Sequence, residues 1–164
     1  MKKLSVIVTL LMLISVGAMA SELGHNMNSI KEYSASVEHD AGSVMGSPGI
    51  ADDISRTVEI IMDDTMRFTP QIINVKQGET VRFLIQNDGK ATHEFVLGTT
   101  SQLKEHAGMM QQMKMQHNMP NMISLAPTKG GEVIWKFDQA GRVSFACLVP
   151  GHMEAGMVGE VNIQ

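Results

Sequence analysis

Alternating apolar and polar residues in short runs constrain the fold of this chain more than any other sequence feature. In residues 80–86, Val81, Phe83 and Ile85 share one side of an extended segment, and the residues between them share the other. The same alternation recurs in two later runs: Val133, Trp135 and Phe137, followed by Val143, Phe145 and Cys147. Such runs, separated by turns rich in Gly and Asp, predict an all-β, antiparallel sandwich. Residues 56–164, which number 109, have the right length for one such domain.

The charge balance and the cysteine count exclude two broad classes of protein. The chain carries 13 Lys and Arg against 17 Asp and Glu, so it lacks the basic surface that a general nucleic-acid binder needs. A single cysteine, Cys147, rules out a fold held together by intrachain disulfides. The unusual content is 15 Met and 6 His, because both side chains bind metal ions.

The first 20 residues have the features of a secretory signal. Lys2 and Lys3 precede an apolar run at 4–16 that is too short to span a bilayer comfortably, and an A-x-A cleavage sequence ends at Ala20. We therefore expect a cleaved signal peptide over 1–20, a periplasmic protein, and no membrane insertion after cleavage.

Residues 21–55 predict a flexible tail. They are rich in Gly and Ser and show no apolar period of a strand or a helix. The tail contains four potential metal ligands: His25, Met27, His39 and Met45. Spread along the chain, these define no fixed site, so a solvated linker is slightly favoured over a metal-collecting arm.

The strongest chemical signal is the sequence C-x4-H-x4-M formed by Cys147, His152 and Met157. Cys147 follows Phe145 on the inward face of a predicted strand, and in an oxidising compartment its thiol should be either buried or occupied. Turn-forming residues separate the three potential ligands: Pro150, Gly151 and Gly156. A thiolate, an imidazole and a thioether can thus reach one point. With a second imidazole, for which His93 is the best candidate, they form the His₂Cys site with axial Met that is typical of blue copper.

Other uses of these residues fit the whole set less well. A single cysteine beside a thioether suits zinc poorly. A nucleophilic pair of Cys147 and His152 would gain nothing from Met157. Taken one at a time, each residue could be ordinary core or surface, but that interpretation requires a coincidence at this spacing. The set therefore predicts one copper ion, because thiolate and thioether suit Cu(I) and the imidazoles suit both oxidation states.

One segment lacks the β pattern. Residues 101–116 predict an inserted helix, and the methionine-rich insert continues to residue 122. Helical spacing brings five potential ligands near one face: His106, Met109, Met110, Met113 and His117. A methionine stripe more often packs into a core, but Gly108 and Pro120 make this a poor packing helix. Additional Cu(I) binding and an adaptable binding face both remain open for the insert.

Residues 56–164 resemble the cupredoxin family. The family's four copper ligands match four residues one by one: His93, Cys147, His152 and Met157. The resemblance implies a Greek-key β-sandwich with one type 1 copper near one end, below a loop edge that passes electrons. The tail, the His-Glu-Phe sequence at 93–95 and the insert are most similar to the periplasmic copper-resistance cupredoxins of the CopI type. Many electron-carrying members have Asn after the first histidine, where it ties the two ligand loops together, whereas this chain has Glu94.

Together these features favour a role in copper tolerance. We expect the protein to bind copper, with redox conversion or transfer to a protein partner as its mechanism. The alternative is a one-electron carrier for a respiratory or oxidase partner, which would need neither the tail nor the insert. A filled type 1 site leaves no open position for a substrate, so we expect no enzyme activity beyond at most weak cuprous oxidation.

Overall fold

The computed structural model describes residues 46–112 and 119–164. The predicted signal peptide at 1–20 and the tail up to residue 45 lie outside the described residues, and so do the potential ligands Met113 and His117. None of the described helices is both long and apolar enough to cross a membrane.

Ten strands and one α-helix follow one another along the described residues. In chain order they are β1 (Ser47–Pro48), β2 (Arg56–Asp63), β3 (Arg67–Thr69), β4 (Ile72–Val75), β5 (Thr80–Asn87), β6 (His93–Gly98), α1 (Thr100–Gln112), β7 (Met122–Leu125), β8 (Gly130–Lys136), β9 (Gly141–Ala146) and β10 (Val158–Ile163). The strands form two five-stranded sheets, in the orders β1-β8-β5-β2-β3 and β4-β10-β9-β6-β7. Consecutive strands repeatedly change sheet, and the predicted all-β, Greek-key sandwich with one short helix is confirmed.

The expectation of a wholly antiparallel sandwich is wrong at two strand pairs. β2 runs parallel to β5, with Val58 opposite Phe83, and β10 runs parallel to β4, with Val161 opposite Ile73. The strands of each pair are not consecutive in the chain, so no tight hairpin imposes an antiparallel direction. Alternation reveals which face of a strand is buried, but it carries no information about the direction of its neighbour.

The predicted alternation matches the burial along β5. Val81, Phe83 and Ile85 are at most 1% exposed, whereas Leu84 between them is 44% exposed. Burying such side chains stabilises the fold by about 1.5–3 kcal/mol each relative to leaving them exposed. The core between the sheets therefore follows directly from the period of two in the sequence.

Three phenylalanine rings form the part of the core nearest the predicted site. The Phe145 ring centroid lies 5.0 Å from that of Phe68 and 5.1 Å from that of Phe95. Because side chains alternate along a strand, Phe95 shares a face of β6 with His93, whereas Cys147 directly follows the last residue of β9, two residues after Phe145. Both potential ligands thus lie at the ends of strands that are anchored in the aromatic core.

The described domain begins earlier than the predicted boundary at residue 56. Ser47 and Pro48 pair with Lys136 and Trp135 of β8, and a short 3-10 helix, Ala51–Asp53, follows. The prediction of a flexible tail is therefore wrong for residues 46–55. A strand of two residues is too short to show alternation in the sequence. Its extended conformation is stabilised by pairing with the neighbouring strand and not by the local sequence.

The predicted insert is a helix over only part of its length. Helix α1 contributes Leu103 to a small second core with Val96, Ala146 and Leu148. Met122, the predicted end of the insert, instead begins β7, and β7 pairs with β6. Four residues after Pro120 are too few to show alternation, so this strand could not be recognised from the sequence alone.

Candidate metal centre

Three side chains from distant parts of the sequence meet at one end of the sandwich. Potential ligand atoms of His93, Cys147 and His152 all lie within 4.8 Å of one another. The Sγ atom of Cys147 is 3.3 Å from Nδ1 of His152, and the two imidazole ring centroids are 5.0 Å apart. His93 and Cys147 are fully buried, whereas His152 is half-buried. The spacing is that of side chains able to share one metal ion.

The neighbouring strands β6 and β9 bring the first histidine to the cysteine. Val96 pairs with Ala146, so the beginning of β6 lies beside the end of β9. There the backbone N–H of Glu94 donates a hydrogen bond to Cys147 Sγ at 3.3 Å. Position 94 therefore contacts the thiol through its backbone, whatever side chain it carries.

The loop between β9 and β10 brings His152 and Met157 back to the cysteine. The Cys147 N–H donates to the Met157 carbonyl at 3.1 Å, and the Met157 N–H donates to the His152 carbonyl at 3.0 Å. Gly151 and Gly156 have positive φ values of 87° and 97°, which a residue with a side chain adopts only with strain. Met157 is fully buried at the end of this closed loop. Its main chain is thus joined directly to both Cys147 and His152.

The His93 ring is held from one side only. Its Nε2 atom lies 3.2 Å from Oδ1 of Asp64, whereas its buried Nδ1 has no hydrogen-bond partner among the described residues. Buried polar atoms almost always have a partner, so the orphaned Nδ1 needs an explanation. A metal ion beside Cys147 would supply one, and metal-binding histidines usually donate their other N–H to a carboxylate or carbonyl. The residues present therefore fit a metal ion.

Burial controls the charge of the site. It raises the pKa of the Cys147 thiol to about 11, against a smaller lowering by the Glu94 N–H and the Val149 backbone. Burial also lowers the pKa of His152, and nearby His93 lowers it further. A metal-free site at neutral pH therefore contains a neutral thiol beside a neutral imidazole, and a metal ion must displace the thiol proton.

Two acidic residues flank the site with opposite behaviour. Backbone N–H groups of Lys90 and Ala91 hold the pKa of Asp64 below its usual value, although burial opposes them. Burial raises the pKa of Glu94, although a hydrogen bond to the Ser124 side chain opposes this rise. The carboxylate near the His93 ring is thus held as an anion.

The donor atoms at this site favour copper over zinc and metal binding over nucleophilic catalysis. One thiol, two imidazoles and the buried Met157, whose main chain is hydrogen-bonded to Cys147 and His152, match the residue types of a type 1 copper site and suit zinc poorly. The contact between Cys147 and His152 alone would also suit a nucleophile and its base. A buried thiol with a raised pKa is a poor nucleophile, however, because the reactive form is an accessible thiolate.

Sequence reasoning missed the residues that shape the loop before His93. Asn87, which is fully buried, donates through Nδ2 to the carbonyls of Ala91 and Leu125, and it accepts from the N–H of Gly89 through Oδ1. Asp64 contacts the same loop and lies 29 residues before His93 in the chain. Asn and Gly before a strand do indicate a turn, but nothing local links Asp64 to His93.

The other potential ligands do not join this group. His106 is buried on α1 and Met109 is half-buried there, and neither belongs to the cluster of His93, Cys147 and His152. Four further candidates, which the tail was predicted to supply, lie outside the described residues: His25, Met27, His39 and Met45. The side chain of Met110 is likewise not described. Metal binding by these residues stays a prediction.

Comparison with known proteins identifies the family. The sequence model of the "Copper binding proteins, plastocyanin/azurin family" matches residues 54–164. The chain therefore belongs to this family, the cupredoxins, and copper is its cofactor. A curated relative from Rubrivivax gelatinosus, named copper-resistant cuproprotein CopI, is 48% identical over 145 residues, which cover 88% of this chain and 87% of the relative. A protein of the same name from Pseudomonas aeruginosa is 36% identical and covers 75% of this chain and 84% of its own.

Solved structures show the same fold at low sequence identity. Auracyanin B superposes with a TM-score of 0.61 at 22% identity, covering 73% of this chain and 96% of its own. The azurin Az-iso2 from Methylomonas sp. strain J superposes with a TM-score of 0.52 at 17% identity, covering 67% and 98%. These likenesses extend to the fold alone.

Proposed function

We propose that the chain holds one copper ion through His93, Cys147, His152 and Met157 and that it acts in copper tolerance. The observation that carries this proposal is the buried Nδ1 of His93, which lacks a partner among the described residues. His93 also offers a ring nitrogen to the group that includes Cys147 Sγ and His152. A copper ion bound between these atoms would satisfy the orphaned nitrogen and occupy the single thiol.

Each of the four side chains would contribute differently to the site. The Cys147 thiolate and the Met157 thioether are soft donors that favour Cu(I), and the two imidazoles accept either oxidation state. When bound, copper supplies a one-electron redox couple. Because three of the four side chains are fully buried in a packed core, the donors are held in place by their surroundings.

The role in tolerance is supported by the relatives and by the composition. Proteins that are 48% and 36% identical carry the name copper-resistant cuproprotein. We further propose that the protein is periplasmic, because residues 1–20 have the features of a cleaved secretory signal. Sequestration of copper, with redox conversion or transfer to a protein partner, would be its mechanism. We propose no catalytic role beyond weak cuprous oxidation.

A second candidate is electron transfer, which one observation favours. Of the four proposed ligands, His152 alone is half-exposed, and its Nδ1 is 3.3 Å from Cys147 Sγ. An electron could therefore pass between the centre and a docked redox partner through this ring.

Growth in copper distinguishes the two functions. A deletion strain would be complemented with the wild-type gene, with Cys147→Ser, or with Met153→Leu, which changes a methionine of the same loop that we do not assign as a ligand. Tolerance predicts that the wild type and Met153→Leu restore growth in copper and that Cys147→Ser does not. Unchanged copper sensitivity on deletion, together with loss of one respiratory pathway, would contradict tolerance and support the electron carrier.

A further inference from the structure

The turn between β2 and β3 and its two flanking strand residues, together residues 63–67 and called the β2–β3 turn below, touch both loops that carry proposed ligands. Its Asp64 side chain contacts the loop at 88–92, which leads into His93. Its Arg67 side chain contacts the loop that contains His152 and Met157. These two ligand loops are more than 50 residues apart in sequence, and the short β2–β3 turn lies between them.

Asp64 fixes both the first loop and the ring that follows it. Its carboxylate accepts the N–H of Lys90 at 2.8 Å and the N–H of Ala91 at 3.1 Å, and it lies 3.2 Å from His93 Nε2. A carboxylate can only accept, so Nε2 is the protonated nitrogen of a neutral His93 ring held by this bond, and Nδ1 then presents its lone pair. A Cβ atom on Gly89 would collide with Asp64 Oδ1, which shows how closely the loop is packed against this carboxylate.

Arg67 fixes the second loop. Its Nη1 donates to the carbonyl of Ala155 at 2.8 Å and to the carbonyl of Met66 at 2.7 Å. A Cβ atom added to Gly156 would lie only 2.9 Å from the same nitrogen, so the guanidinium packs directly on the backbone before Met157. The contact thus lies two residues from a proposed ligand.

The β2–β3 turn is itself held by local bonds. The Asp63 carboxylate accepts from the N–H of Thr65 at 2.9 Å and from the Thr65 hydroxyl. The Met66 N–H donates to the Asp63 carbonyl at 3.2 Å, and the Met66 side chain packs against the main core. A turn fixed in this way sets the distance between Asp64 and Arg67.

We infer that the β2–β3 turn is the element that ties the two ligand loops together, with Asp64 and Arg67 as positioning residues for the copper site. This role rests on the proposed function, because it concerns loops that carry the proposed ligands. Here Glu94 reaches Cys147 through its backbone N–H, and the turn supplies the side-chain connections between the loops.

Asp64→Asn tests the first connection, with Asp88→Asn as its matched control. Both changes remove one carboxylate, and Asp88 is an exposed residue in the same ligand loop. We expect Asp64→Asn to weaken Cu(II) binding by about 10–100-fold. Cu(I) binding should weaken less, because the lost anion stabilises the more highly charged ion more strongly. A purely structural role would weaken both ions alike, and affinities equal to those of Asp88→Asn would overturn the inference.

Nitrogen NMR of the His93 ring provides a readout that does not depend on copper. In the metal-free wild-type chain we expect the proton on Nε2, and in Asp64→Asn a substantial population with the proton on Nδ1. A wild-type ring protonated on Nδ1 would overturn the inference, even if the variant failed to fold. An Nε2 proton in a chain that binds no copper would refute the proposed function and leave the positioning by Asp64 intact.

Arg67→Gln tests the second connection, with Arg142→Gln as its control. Arg142 is an exposed arginine whose side chain pairs with Glu160 on the outer surface. We expect the amide protons of residues 155–157 to exchange at least about tenfold faster in Arg67→Gln than in Arg142→Gln. Equal exchange in the two variants would show that Arg67 does not hold this loop.

Discussion

The Asp64 carboxylate lies 3.2 Å from Nε2 of His93, while the other nitrogen of that ring is buried without a partner among the described residues. The ring is therefore oriented by an anion at Nε2, and Nδ1 is left without a protein partner among those residues. Because the contact with Asp64 already orients the His93 ring, the ring needs no rearrangement to bind a metal ion.

Replacement of Met157 by Leu should change the centre without destroying it. Leu has nearly the same volume, so we expect a stability loss below about 1.5 kcal/mol. The thioether is the weak, long ligand of a type 1 site, and its loss should shift the reduction potential while the thiolate absorption band remains. Cyclic voltammetry and visible spectra would measure both effects.

Met153→Leu is the control for that experiment. Met153 is in the same loop, but it packs against the small second core beside α1. Its replacement should leave the potential unchanged. A shift in Met153→Leu with none in Met157→Leu would mean that the wrong methionine was assigned.

The metal-free protein should lose stability at alkaline pH because of Cys147. Its pKa is about 11 in the folded chain against 9.0 for the free thiol. A raised pKa favours the folded state fully below pH 9, and this contribution is lost as the pH rises towards 11. We expect a decrease in the free energy of unfolding on the order of 2–3 kcal/mol over that range.

Denaturant unfolding between pH 8 and 11 would measure this loss, and Cys147→Ser is its control. Serine does not titrate in this range, so the variant should lack the Cys147 part of the slope. The explanation fails if both proteins show the same pH dependence.

Copper binding should release a proton from Cys147 between neutral pH and pH 9. The thiol is protonated in the metal-free site because burial raises its pKa, and only the thiolate binds metal. His152 adds little, because burial lowers its pKa and the ring is already neutral. Calorimetry in two buffers of different ionisation enthalpy should report about one proton per copper. Binding without proton release would contradict the thiolate ligand.

Substitution of the methionines decides between the two open interpretations of the insert, additional Cu(I) binding and an adaptable binding face. Replacing Met109, Met110, Met113 and Met115 with Leu removes the thioethers and keeps the side chains apolar and of similar size. Additional Cu(I) binding by the insert predicts fewer Cu(I) ions per chain in an anaerobic titration, with an unchanged Cu(II) spectrum of the main centre. An unaltered Cu(I) stoichiometry would leave the insert with a packing or docking role only.

Local sequence patterns predicted the parts of the structure that depend on local chemistry. The burial of Val81, Phe83 and Ile85 follows from their alternation, and the place of His93 at the beginning of a strand follows from the turn before it. The loop from Cys147 to Met157 could be anticipated because glycines with positive φ allow its tight bends. The proposed ligands lie in these locally encoded segments.

The features that could not be predicted depend on distant pairing. The parallel direction of β2 and β5, the two-residue strand β1 and the short strand β7 are all set by neighbouring strands. Asp64 gave no signal because an exposed acid in a turn is ordinary, and only the fold places it beside His93. Contacts between residues that are distant in the chain produce no periodic pattern in a single sequence.

The most direct test of the copper site compares the copper content and spectra of the mature wild-type chain with those of Cys147→Ser. We expect one Cu(II) per wild-type chain at the main centre, with an intense thiolate charge-transfer band in visible light and the matching EPR signal, and we expect both to be absent in the variant. A wild-type protein without this band, or a variant that keeps it, would contradict the assignment of Cys147 to a type 1 copper site.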